Sequence, residues 1–196
     1  PENEADAPLL ISPYALSKLA GEYYCRIFSQ VFNLETACLR YFNVFGPRQA
    51  LDDEYAVVIP KFIHCVLNNQ QPPIFGTGKQ SRDLVYIDNV VEANILAATR
   101  HCEEPRRGDE AIPTKAFHCI FNVASGKDIT VLDILNCLNK ITGKNIQPNL
   151  LSVRAGDVFK TLADISKIKK VLGFKLKVSF EDGLRSTVDY WKDKVS

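Results

Sequence analysis

The sequence predicts an α/β protein, and three observations carry that prediction. Short apolar runs of strand type alternate with longer amphipathic stretches of helix type along the 196 residues. Ser/Thr-x-x-Asp start signals precede several of the amphipathic stretches, and glycines follow them. The composition, 46% hydrophobic and 24% charged, is that of a globular chain able to bury a core.

Each element has a local cause. Residues 1–11 are acidic, proline-flanked and non-periodic, and read as a loop. Ser12 is an N-cap and Pro13 suits the first helical position, so a helix runs from there to about residue 28. Residues 35–43 read as a buried strand through Thr36, Ala37, Cys38, Leu39 and Tyr41. Val44-Phe45-Gly46-Pro47-Arg48 reads as the loop that ends it. Residues 57–67 form an amphipathic helix. Pro73–Phe75 is a short strand, turned by Gly76 and Gly78 into an extended piece at 83–87. Asp88 is read as the cap of a helix over 89–100. Residues 102–115 are charged, hold Pro105, Gly108 and Pro113, and read as a surface loop.

Residues 117–123 are another strand. Thr130 with Asp133 resembles a capping box for a helix reaching Ile141 and closed by Gly143. Residues 146–153 are extended, and 165–172 form a short helix ended by Gly173. Ser179 with Asp182 opens the last helix, which carries Leu184, Val188 and Trp191 on one face.

Composition excludes several functions. With 24 basic and 23 acidic side chains the net charge is +1, which argues against nucleic acid or an anionic membrane as a charge-driven partner. No apolar run approaches the roughly 18 residues of a membrane span. Cys25, Cys38, Cys65, Cys102, Cys119 and Cys137 form no C-x-x-C pair and read as reduced thiols of a cytoplasmic protein. His64, His101 and His118 lack ligand spacing, so no metal is expected. Gly76-Thr77-Gly78-Lys79-Gln80-Ser81 is not a phosphate loop. Pro73 stands where the first glycine of that motif belongs, and Gln80 replaces its Ser or Thr.

Tyr14 and Lys18 stand four residues apart and so share a helix face. A tyrosine is a poor base at its free pKa of about 10. A cation on the same face favours the phenolate, and such a pair can exchange a proton with a sugar or alcohol hydroxyl. The spacing alone equally describes a solvated or packed Tyr/Lys pair.

The neighbours decide between these. Ser12-Pro13-Tyr14-Ala15-Leu16-Ser17-Lys18 is followed by Arg40-Tyr41-Phe42-Asn43-Val44-Phe45-Gly46-Pro47-Arg48. Then come Phe75-Gly76-Thr77-Gly78-Lys79-Gln80-Ser81-Arg82-Asp83-Leu84-Val85-Tyr86-Ile87, Arg154-Ala155-Gly156-Asp157 and Leu162-Ala163-Asp164-Ile165-Ser166-Lys167. This ordered series resembles the extended short-chain dehydrogenase/reductase family, and within it the NAD-dependent nucleotide-sugar 4-epimerases. The resemblance runs from Ser12 to Trp191.

The resemblance implies an architecture and a reaction. Residues 1–55 correspond to the end of a Rossmann-type doubly wound NAD-binding domain. Residues 56–196 correspond mainly to a smaller α/β nucleotide-sugar-binding domain, with short segments returning to the first. Tyr14 resembles the catalytic base for the sugar 4-hydroxyl, and Lys18 the lysine that binds the nicotinamide ribose and assists that tyrosine. Hydride leaves C4 for NAD, the 4-keto sugar turns, and hydride returns to its other face. Phe42 matches a residue lining the nicotinamide pocket, and Asn43 one that hydrogen-bonds the nucleotide sugar. Val58 and Lys61 lie where the uridine or diphosphate binds, and Ile74 and Phe75 where the uracil packs. Arg82 and Arg154 match arginines on the diphosphate, a role suited to their donor forks. Asp157 matches the carboxylate that accepts from the ribose. Thr161 borders the sugar 2-substituent and leaves room for an N-acetyl group, so UDP-N-acetylhexosamines are expected substrates of the full-length enzyme.

The glycine-rich dinucleotide turn, the acidic residue for the adenosine ribose and the serine or threonine that assists the tyrosine are not in the sequence. With its start at Pro1 and no methionine, the chain reads as the second half of a longer enzyme, inactive and a poor NAD binder by itself. Tyr14 and Lys18 serve 4,6-dehydratases and decarboxylases of the same family as well. A non-catalytic nucleotide-sugar binding module is the other alternative. Family members often dimerise through the helix that bears the tyrosine. Leu16, Leu19, Tyr23 and Ile27 are either that outward face or ordinary core.

Overall fold

The computed structural model describes residues 1–49, 58–99, 118–153 and 159–195. The expected loop at 102–115 lies outside the described residues. Helix α1 (Pro13–Phe32) starts as expected: extended Ser12 accepts a hydrogen bond from the Ala15 N–H at 3.1 Å. It runs four residues beyond the expected end. Phe28 and Phe32 stack at i, i+4 with centroids 5.1 Å apart, and Asn33 is the residue that takes the left-handed conformation closing the helix.

The strand expected at 35–43 is two strands. β1 (Thr36–Tyr41) lies parallel to β5 (His118–Val123), with Thr36 opposite His118 and Tyr41 opposite Val123. The pairing changes after Phe42, whose N–H still donates to Val123 O at 3.1 Å, and β2 (Asn43–Phe45) pairs instead with β4 (Ser81–Tyr86), also parallel. Val44 and Phe45 are therefore strand rather than loop, and Phe45 is buried in the core. On its other edge β4 takes β6 (Asp128–Thr130) antiparallel, a strand that the sequence pattern did not signal. β3 (Pro73–Phe75) pairs parallel with β7 (Asn149–Leu151). Gly76 and Gly78 both have φ above +70°, the left-handed turn that the sequence suggested in place of a phosphate loop.

The helices hold where their caps were legible. α4 (Val131–Thr142) carries the Thr130–Asp133 capping box and ends on left-handed Gly143. α5 (Ser166–Leu172) ends on Gly173. α6 (Phe180–Val195) starts with the Asp182 N–H donating to Ser179 Oγ at 3.1 Å. In α3 (Ile87–Thr99) Asp88 is inside the first turn, not at the cap, since the helix follows β4 directly. A carboxylate there still opposes the positive helix end. α2 spans Val58–Leu67.

β4 separates two cores, because successive strand side chains face opposite ways. Leu84 and Tyr86 pack with Phe45, α2, α4 and α6. Val85 packs with β5, α3, α5 and Phe174. Residues 1–11 are not wholly loop. Glu2 forms a parallel bridge with Ala163, donating to Leu162 O at 2.7 Å and accepting from the Asp164 N–H at 2.9 Å. On α1, Leu16, Tyr23 and Ile27 are exposed and Leu19 is half-buried. No described helix is long and apolar enough to cross a membrane.

Candidate active site

A cleft of about 940 Å³ lies between residues 2–10, the inner side of α1 and β1. Tyr14 and Lys18 line it from the start of α1, and Phe42 lines it from the end of β1. Tyr14 is 64% exposed, and Lys18 Nζ stands 5.2 Å from its ring centroid. The helical spacing thus puts ammonium and phenol side by side at the carboxyl end of a parallel strand, where open α/β sheets bind ligands.

Deeper along the cleft Glu22 receives both forks of Arg40. Nε and Nη2 donate to its two carboxylate oxygens at 2.7 and 2.8 Å. Glu22 is the chief reason that Arg40 is held above the ordinary arginine value. Cys25 and Cys38 face the same space. Burial first, and then the hydrogen bond with Cys25, pushes the Cys38 thiol up to about 12, so it stays protonated and is no nucleophile.

A second cluster is organised by Asp83, which is fully buried. Its Oδ1 accepts from the Ser125 N–H at 2.8 Å and the Ser125 hydroxyl at 2.7 Å. Its Oδ2 accepts from the N–H groups of Gly126 at 3.0 Å and Ala163 at 3.2 Å. Its backbone gathers two expected site residues. Asn43 Nδ2 donates to Asp83 O at 3.1 Å and to Thr161 Oγ1 at 3.3 Å. The Asp83 N–H donates to that same Oγ1 at 3.4 Å. Neighbouring Arg82 is half-buried on the opposite strand face, with Nη1 donating to Ser81 O at 2.9 Å.

The structure therefore groups Tyr14, Lys18 and Phe42 in one place, and Asn43 and Thr161 around Asp83 in another. Lys61 is exposed on α2 and Val58 is half-buried there. Phe75 is half-buried, but Ile74 is 1% exposed and belongs to the core around α2 and α4. Of this pair Phe75 keeps the more open surface. Arg154 and Asp157 lie outside the described residues. Among the described residues no cluster of His, Cys, Asp or Glu could hold a metal ion.

Sequence reasoning missed Asp83, Glu22 and Arg40 as organisers. Asp83 had a signal, being the single carboxylate in the otherwise apolar run Asp83-Leu84-Val85-Tyr86-Ile87. Glu22 had a weaker one, one helical turn beyond Lys18 on the same face.

Residues 1–132 match the NAD dependent epimerase/dehydratase family. A UDP-glucuronate 4-epimerase of Thermodesulfobacterium geofontis is 32% identical over 193 residues, covering 98% of this chain and 53% of the relative. The structure of a UDP-glucose 4-epimerase of Thermotoga maritima with UDP-glucose has a TM-score of 0.86 at 37% identity, over 100% of this chain and 58% of that one. A UDP-N-acetylglucosamine 4-epimerase of Methanobrevibacter ruminantium, in complex with UDP-N-acetylmuramic acid, also has a TM-score of 0.86, at 36% identity over 99% of this chain and 58% of that one. The chain spans about half the length of the curated relatives it matches.

Proposed function

The chain belongs to the NAD dependent epimerase/dehydratase family, and from that premise we propose that the full-length protein interconverts UDP-sugars that differ at C4. The observation that carries this reading is the Tyr14–Lys18 pair facing one cleft with Phe42. The donor set fits the nicotinamide end of NAD: Lys18 for the ribose hydroxyls and Phe42 for the ring. The rest of the dinucleotide needs a glycine-rich turn that the 196 residues do not contain. The activity is therefore proposed for the protein with that turn, and the 196 residues alone are proposed to be inactive and to bind NAD poorly.

When bound at Lys18 and Phe42, NAD would supply the acceptor and then the donor for the hydride at C4 of the sugar. The chain's own residues handle the proton and the substrate. Tyr14 Oη takes the proton of the 4-hydroxyl and later returns it, and the Lys18 ammonium favours the charged phenolate during that exchange. Asn43, held by Asp83 O and Thr161, orients the nucleotide sugar. Arg82 and Arg154 take the diphosphate, where planar forks match phosphate oxygens. Asp157 takes the ribose, Ile74 and Phe75 lie where the uracil packs, and Val58 and Lys61 border the uridine and diphosphate. The small Thr161 supports acceptance of N-acetylated as well as plain hexoses, and relatives of both kinds are at hand.

The free thiols Cys25, Cys38, Cys65, Cys119 and Cys137 support a reducing compartment, the cytoplasm. The exposed face of Leu16, Tyr23 and Ile27 supports a homodimer, which light scattering on the full-length protein would detect. The test of the reaction is incubation of that protein with NAD and UDP-glucose, followed by separation of the products. UDP-galactose is expected. A 4-keto-6-deoxy sugar would assign a dehydratase, loss of carbon dioxide from UDP-glucuronate a decarboxylase, and binding without turnover a non-catalytic module.

A further inference from the structure

Tyr14, Lys18 and Glu22 follow one another at four-residue steps along α1, and all three line the cleft. Two oppositely charged side chains at i, i+4 are within ion-pair reach. Left to itself, the Glu22 carboxylate would compete with Tyr14 for the Lys18 ammonium. The structure shows Lys18 Nζ at 5.2 Å from the Tyr14 ring, and each Glu22 oxygen accepting from Arg40 instead.

Arg40 is what engages it. The face of β1 that meets α1 presents residues at two-residue steps, each about 6.6 Å. The facing helix residues recur every three or four residues, about 4.5 to 6 Å. The two elements therefore meet at several points along their length. Thr36 Oγ1 donates to Cys25 O at 3.4 Å, the free thiols of Cys38 and Cys25 share a hydrogen bond, and Arg40 takes Glu22. The next step along both elements brings Phe42 and Lys18 to the same cleft. Arg40 Nη1 also reaches Glu4 O at 3.4 Å, which fixes the fork from a third side. Arg40 and Glu22 side chains are only 27% and 16% exposed, so water screens the pair weakly.

We propose that Arg40 is a positioning residue for the Tyr14–Lys18 pair: it occupies both oxygens of Glu22, withholds that carboxylate from Lys18, and leaves the ammonium to Tyr14. The inference rests on the reading of Tyr14 and Lys18 as the proton-exchanging pair. Lysine in place of Arg40 would not be equivalent, because a single ammonium cannot present two parallel donors.

The experiment follows the Tyr14 ring by NMR in full-length protein labelled with carbon-13 at the tyrosine ζ position, with the signal assigned by Tyr14→Phe. In Arg40→Met the titration midpoint of Tyr14 is expected to rise by about half a unit or more, roughly a threefold loss of phenolate at neutral pH. In Arg40→Met combined with Glu22→Gln it is expected to return to the wild-type value, since no carboxylate is left to capture Lys18. A purely structural tether would be lost equally in both variants. An unmoved midpoint in folded Arg40→Met, or an equal shift in the double variant, would overturn the proposal. If Arg40→Met does not fold, Arg40→Lys leaves one Glu22 oxygen open. A smaller upward shift is then expected, and no shift would overturn the proposal. Turnover by Tyr14→Phe tests the underlying reading separately: an active Tyr14→Phe would sink that reading, whatever the titrations show.

Discussion

Asn43 and Thr161, 118 residues apart in sequence, meet through a hydrogen bond of 3.3 Å from Nδ2 to Oγ1. The same Thr161 oxygen also accepts the Asp83 N–H at 3.4 Å, so one hydroxyl ties the end of β1–β2 to β4. Thr161 thus has two parts to play under the proposed function, being small beside the sugar and an acceptor for Asn43.

Substitutions at Thr161 separate the two. Thr161→Val keeps the size and removes the acceptor. It is expected to cost about 1 kcal/mol of stability and to raise KM for a UDP-sugar several-fold with little change in kcat. Thr161→Tyr fills the space. It is expected to lower kcat/KM for a UDP-N-acetylhexosamine by about tenfold or more relative to its unacetylated counterpart. Steady-state kinetics with both sugars check these outcomes.

Asp83 is a buried carboxylate that accepts from three backbone N–H groups and one hydroxyl. Asp83→Asn turns one oxygen into an NH₂ group aimed at N–H donors. A loss of about 3 kcal/mol or more is expected, because several charged hydrogen bonds go and a donor is left facing donors. Urea unfolding measures it. A loss below about 1 kcal/mol would show that the cluster is not the organiser described.

Tyr14→Phe removes one hydroxyl and leaves the ring that Lys18 approaches. The expected result is a drop of about 10² to 10⁴ in kcat with unchanged fold and unchanged affinity for the nucleotide sugar. Calorimetry and turnover assays on the same preparation read both quantities.

His118 supplies a pH dependence. Its Nδ1 is 2.8 Å from Thr36 Oγ1 at the start of the β1–β5 pair. Burial, with Arg26 and Lys167 adding to it, lowers its pKa below the ordinary 6.5, against a smaller opposing effect of Glu22. The unfolded chain therefore takes up the proton first as pH falls. The stability that neutral His118 contributes is complete above 6.5 and is lost as the pH drops from there through the lower folded value. Thermal melts at pH 7.5 and pH 5.5 should show a larger decline for wild type than for His118→Asn.

Most local signals were legible, although Asp88 proved to lie inside the first turn of α3 and not at its cap. The Ser12–Pro13 start, the Thr130–Asp133 box, the Ser179–Asp182 pair and the closing glycines at 143 and 173 all lie at the helix ends that the structure describes. Partner choice was not legible. Nothing in residues 35–45 announces that Phe42 ends pairing with β5 and Asn43 begins pairing with β4, because both partners lie far along the chain. The same holds for β6, whose Asp128 is a poor strand former placed by its register with Asp83. In the candidate site, Tyr14 and Lys18 were readable from helical spacing. The burial of Ile74 rather than Phe75 follows from strand alternation, which turns Ile74 into the core. Arg40 and Glu22 could not be paired from sequence, since only the packing of α1 on β1 brings them together.

The most direct test of the proposed reaction is the fate of deuterium placed at C4 of UDP-glucose. With the full-length protein and NAD, the 4-epimeric product is predicted to keep the deuterium at C4, because the hydride that leaves is the one that returns. Loss of the label to water, or its recovery at C6 of a deoxy sugar, would contradict the account.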